Sequence, residues 1–316
     1  MSVDLNLSGG AAILTFDNAP LNLLSAEVRA GLMRGMDAAM AQGATRLIVT
    51  GAGNTFVAGA DAREFGLPPI EPHLNDVLLH LAGLAIPTIA AINGAALGGG
   101  LEIALACRYR IAAPGAQLGL PEVVLGIVPG AGGTQRLPRL IGVKAALDMI
   151  VTGKAIAAGK ALSLGLVDKL ADNPLAVALA IDDALLAAAR GPDEQPAPQV
   201  DEDAVAAMLA HAKRRLTGQI APPIAVGLVA ASATLPLAEG LARERAAFLD
   251  LRASAQARAL RHVFFTERAA GNRGRDYPRP ARDIATAIVV GGGNMGASIA
   301  YAFATGGIAV TIVERD

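Results

Sequence analysis

Three consecutive glycines between an apolar strand and an apolar helix constrain the fold more than any other feature of this chain. Residues 89–92 have the composition of a buried strand, 98–100 are glycines, and 101–107 are good helix formers. Apolar strands with loop residues around them recur at 46–50 and 108–112, which predicts an α/β fold with parallel strands covered by helices. Because glycine has no Cβ, backbone N–H groups at the helix N-terminus can approach an anion closely.

Composition and charge exclude several classes of protein. With 53% hydrophobic and 17% charged residues over 316 positions, the chain is expected to fold into one or two domains with a sizeable core. A net charge of −1 without a basic block argues against a nucleic-acid partner. The histidines show no metal-ligand spacing, so no metal site is expected.

The chain carries one cysteine and no basic leader at its start, which together predict a reducing cytoplasmic location. Cys107 is expected to be a small core residue. Two stretches, 77–101 and 220–238, lack charged residues, but prolines and glycines interrupt both. They are therefore interpreted as buried elements, and no membrane association is expected.

Two isolated carboxylates stand in apolar surroundings. Glu102 falls in the first turn of the helix after the glycines, where a role as partner of the helix dipole is the alternative to a catalytic one. Glu122 follows 20 residues later, in another apolar run. A pair of carboxylates in an apolar setting is typical of acid–base chemistry, because two neighbouring carboxyl groups do not both ionise easily.

Four segments occur in an order that resembles the crotonase (enoyl-CoA hydratase/isomerase) superfamily, over about residues 18–167. They are FVAGAD at 56–61, AALGGGLEIALAC at 95–107, GLPE at 119–122 and GIVPGAGGTQRL at 126–137. The resemblance implies a repeated ββα spiral fold and a CoA thioester substrate. It assigns the backbone N–H groups of Ala60 and Gly99 to an oxyanion hole.

The same resemblance implies hydration of a trans-2-enoyl-CoA to a 3-hydroxyacyl-CoA without a cofactor other than the CoA of the substrate. Glu122 would transfer the proton at C2 and Glu102 would hold and activate water. A Δ3-to-Δ2 isomerase side activity would need only Glu122. The alternatives are another crotonase-superfamily reaction on a CoA thioester, NAD-dependent 3-hydroxyacyl-CoA dehydrogenase activity in a full-length parent, and a non-catalytic CoA-binding role. Asp61 and Arg63 would contact the substrate, although Arg63 can also be an ordinary exposed arginine. Ala62 departs from the larger aliphatic residue usual in the family, which leaves the contacts to the acyl and pantetheine groups open.

The sequence beyond residue 190 predicts two further parts: a linker and long helix at 191–283, and a separate segment at 284–316. Residues 191–198 are interpreted as exposed linker, and 236–270 as one amphipathic helix that packs back on the first domain (1–190). Its solvated face is predicted to carry Glu239, Arg243, Glu244, Arg245 and Arg252, and its buried face Phe248, Leu251, Phe264 and Phe265.

Residues 284–316 predict the first β-α-β unit of a Rossmann domain. GGGNMG at 291–296 lies between a strand and a helix, and a second strand ends at an acidic residue. The expected NAD-binding residues are Gly291, Gly293, Gly296 and Glu314. The segment resembles the start of a 3-hydroxyacyl-CoA dehydrogenase, so the chain is expected to be the N-terminal part of a multifunctional β-oxidation enzyme, with NAD bound only in a longer protein. Oligomerisation and a thiolase partner are left open by the sequence.

Overall fold

The computed structural model describes residues 2–273 and 282–315 and divides into two units, 1–265 and 266–316. The strands are β1 (Val3–Ser8), β2 (Ala11–Phe16), β3 (Arg46–Gly51), β4 (Thr55–Val57), β5 (Thr88–Ile92), β6 (Ala95–Leu97), β7 (Tyr109–Ala112), β8 (Gln117–Gly119), β9 (Ile156–Ala157), β10 (Lys169–Leu170), β11 (Thr286–Val290) and β12 (Ala309–Val313). The helices are α1 (Ala26–Ala41), α2 (Leu74–Ala82), α3 (Gly99–Ala106), α4 (Gly133–Thr152), α5 (Ala158–Leu164), α6 (Pro174–Ala180), α7 (Asp183–Ala188), α8 (Glu202–Arg215), α9 (Ala221–Ala231), α10 (Leu237–Ala253), α11 (Ala255–Arg273) and α12 (Asn294–Thr305). Short 3₁₀ turns span Ala62–Gly66, Glu122–Leu125 and Pro192–Glu194.

From β3 to β8, successive strands of the first unit alternate between two sheets. One sheet has the order β1-β2-β3-β5-β7-β10, and the other has the order β4-β6-β8-β9. Strands β3, β5 and β7 therefore lie in the first sheet, while β4, β6 and β8, which follow each of them, lie in the second. This is the predicted ββα arrangement, and the α/β class is confirmed.

The central strands of the larger sheet are buried on both faces, as their apolar residues predict. Residues one apart point to opposite faces, so Leu14 and Val49 pack into the main core while Ile13 and Ile48 pack on the other side. The second side is covered by α6 and α7, and Leu186 of α7 is buried there. Burial on both faces is the physical reason that parallel strands carry continuous apolar runs.

The predicted linker and long helix differ from the sequence expectation in two ways. Gly191 and Pro192, expected to be exposed, are buried. The segment 236–270 is two helices, because Ser254 is extended and its Oγ accepts the N–H of Ala257 at 3.0 Å, which caps α11. Within the described ranges, no helix combines the length and apolarity needed to cross a bilayer.

The second unit contains a parallel strand pair joined through a helix. β11 and β12 pair in register from Thr286 with Ala309 to Val290 with Val313, and α12 connects them. Its β-α-β connection agrees with the pattern predicted for 284–316, whereas its assignment to a Rossmann domain stays a prediction.

Candidate active site

The backbone N–H groups of Ala60 and Gly99 lie side by side where β4 and α3 meet. The N–H of Leu24 donates to the Gly59 carbonyl at 3.0 Å. Because that peptide is planar and trans, the N–H of Ala60 points in the opposite direction. Gly99 is the first residue of α3, so its N–H has no partner inside the helix. A Cβ placed on Gly99 would lie 3.7 Å from the Ala60 nitrogen, so the two predicted donors are neighbours.

Each of the three glycines before Leu101 is needed for a separate reason. Gly98 precedes α3 with φ +54°, a value that other residues adopt only with strain. A Cβ on Gly99 would lie 2.9 Å from Leu74 Cδ2, and one on Gly100 would lie 2.8 Å from Val57 Cβ. The close approach of α3 to β4, which brings the two N–H groups together, therefore requires glycine.

Glu102 is buried in the first turn of α3 and is held by two backbone donors. Its side chain Oε1 accepts the N–H of Ala131 at 2.8 Å and that of Gly133 at 3.0 Å. Burial raises the pKa of Glu102, while the two N–H groups and the charges of Arg136 and Arg245 oppose that shift. The carboxylate is thus fixed in position, and its Oε1 accepts two hydrogen bonds, as the oxygen of an ionised carboxylate would.

Glu122 begins the 3₁₀ turn after β8 and directs its carboxyl group toward the glycine run. A Cβ on Gly98 would lie 3.1 Å from Glu122 Oε1. Its Oε2 is shielded from solvent and has no hydrogen-bond partner within the described residues. Burial, followed by the charge of Glu102 and then that of Glu244, raises the pKa of Glu122 well above its ordinary value. The structure therefore brings Glu122 and Glu102 into one buried cluster, in which Glu122 favours the protonated form.

Glu244 of α10 is a third buried carboxylate, and the prediction that it lies on a solvated face was wrong. It accepts the N–H of Gly132 at 2.5 Å, and the N–H and hydroxyl of Thr134 at 2.7 and 2.5 Å. Burial and the charge of Glu102 raise its pKa to about 8. The sequence carried a signal for this burial, though not for its partners: Glu244 precedes Phe248 and Leu251, both predicted to be buried, by four and seven residues and so lies on the same helix face.

Comparison with known proteins assigns the chain to a family. Residues 6–189 match the family described as enoyl-CoA hydratase/isomerase. The chain belongs to the enoyl-CoA hydratase/isomerase family. The predicted resemblance is thereby confirmed.

Among curated relatives, the peroxisomal bifunctional enzyme of Cavia porcellus is 39% identical over 100% of this chain and 46% of its own length. The enzyme of the same name in Danio rerio is 40% identical over 96% of this chain and 44% of its own length. The fatty acid oxidation complex subunit alpha of Shewanella loihica is 36% identical over 93% of this chain and 45% of its own length. The chain thus spans less than half the length of these relatives. The crystal structure of an enoyl-CoA hydratase from Mycobacterium tuberculosis is 28% identical, with a TM-score of 0.57 over 80% of this chain and all of that one.

Asp61 and Arg63, the substrate-contact residues predicted from the enoyl-CoA hydratase/isomerase family, pair with each other just after Ala60. Asp61 accepts the Arg63 backbone N–H at 3.0 Å and its Nη2 at 2.6 Å, and this pairing lowers the pKa of Asp61. The Asp61 side chain is 8% exposed and that of Arg63 is 74% exposed. Asp61 is therefore engaged within the turn and Arg63 faces solvent, which leaves both predicted roles of Arg63 open.

Helix α10 also fixes the turn that follows these residues, a contact that sequence reasoning missed. Arg252 donates to the carbonyls of Glu64 and Leu67, each at 3.0 Å, and its guanidinium lies over the Phe65 ring. Phe65 in turn packs edge-on against Phe248 of α10, with ring centres 6.2 Å apart. In this member of the enoyl-CoA hydratase/isomerase family, α10 thus borders the site on two sides.

Proposed function

We propose that this chain adds water across the double bond of a trans-2-enoyl-CoA to give a 3-hydroxyacyl-CoA. The observation that carries the proposal is the adjacency of two unencumbered backbone N–H groups, from Ala60 and Gly99, to a buried pair of carboxyl groups, Glu102 and Glu122. Membership in the enoyl-CoA hydratase/isomerase family supports the same assignment.

In the proposed reaction, the N–H groups of Ala60 and Gly99 bind the thioester oxygen, on which negative charge develops. Two preorganised donors at such an oxygen are effective because they need not reorient, and loss of one costs about 10²–10³ in rate. The positive end of the α3 dipole adds to the Gly99 donor.

The two carboxyl groups divide the proton transfers. Glu102, with Oε1 held by two N–H groups, takes a proton from water as its oxygen bonds to C3. Protonated Glu122 gives its proton to C2, so the product gains the elements of one water molecule, and the proton left on Glu102 must return to Glu122 before the next turnover. The raised pKa of Glu122 favours the protonated acid that this step requires. The cluster titrates as a unit, so the division of roles is part of the proposal.

The test is the loss of crotonyl-CoA absorbance on addition of the protein. Glu102→Gln and Glu122→Gln should each lower kcat by about 10²-fold or more. Glu239→Gln, at an exposed position of α10, is the matched control and should leave kcat unchanged. Absence of hydration by the parent protein would favour the alternative of a non-catalytic CoA-binding role, and near-parental activity in both site variants would overturn the assignment.

A Δ3-to-Δ2 isomerase side activity is proposed for the same site, because moving a proton from C2 to C4 needs one acid–base group. Glu122, which lacks a hydrogen-bond partner at Oε2 within the described residues, suits that role. Glu102→Gln should therefore suppress hydration far more than isomerisation, as measured with a 3-enoyl-CoA. Equal suppression of both would contradict the one-group mechanism.

For the second unit we propose NAD binding in a longer protein with 3-hydroxyacyl-CoA dehydrogenase activity in fatty acid β-oxidation. The residues fit: Gly291 has φ +98°, a Cβ on Gly296 would overlap the Gly291 carbonyl, and Glu314 accepts the N–H of Gly292 at the end of β12. Gly293 precedes α12, whose N-terminus would hold the pyrophosphate while Glu314 holds a ribose hydroxyl. When bound, NAD supplies the hydride acceptor.

NADH fluorescence tests the NAD proposal in a longer protein that contains the whole dehydrogenase part, where an unchanged signal would overturn it. We expect no change with the 316-residue chain, because one β-α-β unit offers only part of the sheet that binds a dinucleotide. A change with this chain would overturn that expectation.

A cytoplasmic location is the proposal from sequence. The Cavia and Danio relatives are named peroxisomal, and fractionation of the source cells decides between the two. Co-purification with a thiolase would test the partner left open above.

A further inference from the structure

The segment 131–134, which leads into α4, is bound by carboxylates from two sides in strict alternation. Its first and third N–H groups donate to Glu102, and its second and fourth donate to Glu244. The donors in chain order are Ala131, Gly132, Gly133 and Thr134, at 2.8, 2.5, 3.0 and 2.7 Å. Every backbone donor of the segment is therefore committed to one of the two side chains.

This alternation couples the two carboxylates mechanically. The N–H groups at a helix N-terminus lack partners inside the helix, so the segment depends on outside acceptors. Each peptide is a rigid plane, and in this segment successive planes direct their N–H groups to different carboxylates. If the acceptor on one side is removed, the planes on that side can rotate, and the donors on the other side rotate with them.

The remaining hydrogen bond of Glu244 also comes from this segment, from the hydroxyl of Thr134. Thr134 Oγ1 donates to Glu244 Oε2, and Gln135 Nε2 donates to Thr134 Oγ1 at 2.9 Å, so the hydroxyl proton is directed to the carboxylate. Gly240, one turn earlier on α10, leaves room for Gln135, since a Cβ there would overlap the Gln135 amide. Glu244 makes no hydrogen bond to Ala60 or Gly99.

We propose that Glu244 is a positioning residue for Glu102: by holding alternate peptides of segment 131–134, it fixes the N–H groups that orient the water-activating carboxylate. The inference rests on the proposed hydratase function and adds a residue from α10, outside the matched region 6–189, to its machinery. It predicts an effect on turnover and little effect on CoA binding.

The charge of Glu244 acts on the same cluster. The charged groups that face it are Glu102 of α3, Glu122 of the 3₁₀ turn, Arg136 of α4 and Arg245 of α10. Above its own pKa of about 8, Glu244 is an anion that raises the pKa of Glu122, because a neighbouring anion favours the protonated acid; removing that charge lowers the pKa of Glu122. The alkaline limb of the kcat profile, which follows deprotonation of that acid, should then move to lower pH.

The experiment compares Glu244→Gln with Glu239→Gln on crotonyl-CoA, measuring kcat, KM, the pH profile of kcat and the folded fraction by circular dichroism. Glutamine is close in shape and keeps one carbonyl acceptor, but presents an amide N–H₂ to the other donors. We expect kcat of Glu244→Gln to fall about 10- to 100-fold, a loss typical of small misplacements of a catalytic group. KM should stay within about twofold, and the alkaline limb should shift to lower pH. Glu239→Gln should match the parent.

The outcomes separate this inference from the function on which it rests. If the parent protein does not hydrate crotonyl-CoA, the proposed function fails. If the parent is active and Glu102→Gln is inactive, but Glu244→Gln keeps parental kcat and pH profile, only the positioning role fails. If Glu244→Gln lowers the folded fraction but leaves kcat per folded molecule unchanged, the positioning role is likewise overturned. Should Glu244→Gln not fold, Thr134→Val, which keeps the backbone donor, must still lower kcat or shift the profile, and parental values for both would overturn the inference.

Discussion

Replacing Asp193 by alanine should destabilise the first unit by about 3 kcal/mol. The Arg136 side chain is 1% exposed and donates from Nε and Nη2 to Asp193 at 2.6 and 2.9 Å. Removing one partner of a buried pair strands the other charge, at a cost of about 3–5 kcal/mol. Because the Asp193 side chain is 30% exposed, water can reach part of the guanidinium after the substitution, which favours the lower end of that range.

The measurement is the free energy of unfolding from urea denaturation followed by circular dichroism. The matched control is Asp183→Ala, which removes the partner of Arg46 at a site where the carboxylate is 88% exposed. Arg46 is 13% exposed but keeps its bond to the Ile181 carbonyl, and a pair whose carboxylate lies in solvent contributes about 0–1 kcal/mol, so the control should barely change stability. The Asp193 variant should also lose turnover, since Arg136 Nη1 donates to the Ala131 carbonyl at 3.0 Å beside the Glu102 donors.

Equal, small effects of the two substitutions would refute the reasoning, because they would show that Arg136 is not desolvated. A double variant adds a second check. Arg136→Met with Asp193→Ala removes the stranded charge, so it should be less destabilised than Asp193→Ala alone. If the double variant is less stable than the single one, the cost lies in lost packing or in the Ala131 contact rather than in an unpaired charge.

Three further outcomes are expected. Burial raises the pKa of the Cys107 thiol to about 12, so iodoacetamide at pH 8 should label Cys107 only after unfolding, and labelling of the native protein would contradict its core position. The pKa of Glu244 is raised from 4.5 to about 8, so its stabilising contribution is complete below pH 4.5 and is lost as pH rises through 8. The free energy of unfolding should therefore fall over that interval, and it should fall less steeply in Glu244→Gln. Parallel curves for the parent and the variant would contradict the assignment. Gly98→Ala should lower the free energy of unfolding by about 1–3 kcal/mol, because residue 98 has a positive φ, as urea denaturation would measure. It should also lower kcat in the crotonyl-CoA assay, because the new Cβ would lie 3.1 Å from Glu122 Oε1. A parental kcat would place Glu122 elsewhere.

The parts of the fold that local patterns describe were predictable from the sequence. The predicted strands at 46–50, 89–92 and 108–112 correspond to β3, β5 and β7, because a mainly apolar segment is what a strand buried on both faces requires. The glycine run at 98–100 was placed correctly at a helix N-terminus, since backbone N–H groups can approach β4 only where no Cβ intervenes.

The surroundings of the carboxylates were not predictable in the same way. The contact between Glu244 and segment 131–134 joins residues 112 positions apart in the case of Gly132, and no local pattern encodes such a contact. Charge composition favoured a solvated face for α10, because most charged side chains do stay in water. What overrides that rule is a set of unpaired helix N-terminal donors in α4, which are strong enough partners to bury a carboxylate.

The sequence by itself determined the apolar strands, the glycine-dependent close approach at Gly98 to Gly100, and the two acidic residues in apolar surroundings. Those features act through backbone sterics and side-chain burial within a few residues of each other. Only the tertiary structure decided that Ala60 meets Gly99, that Glu122 shares a buried cluster with Glu102, and that a helix from the far end of the first unit adds a third carboxylate. The physical reason is that shared hydrogen-bond donors and mutual charge exist only once distant segments are packed together.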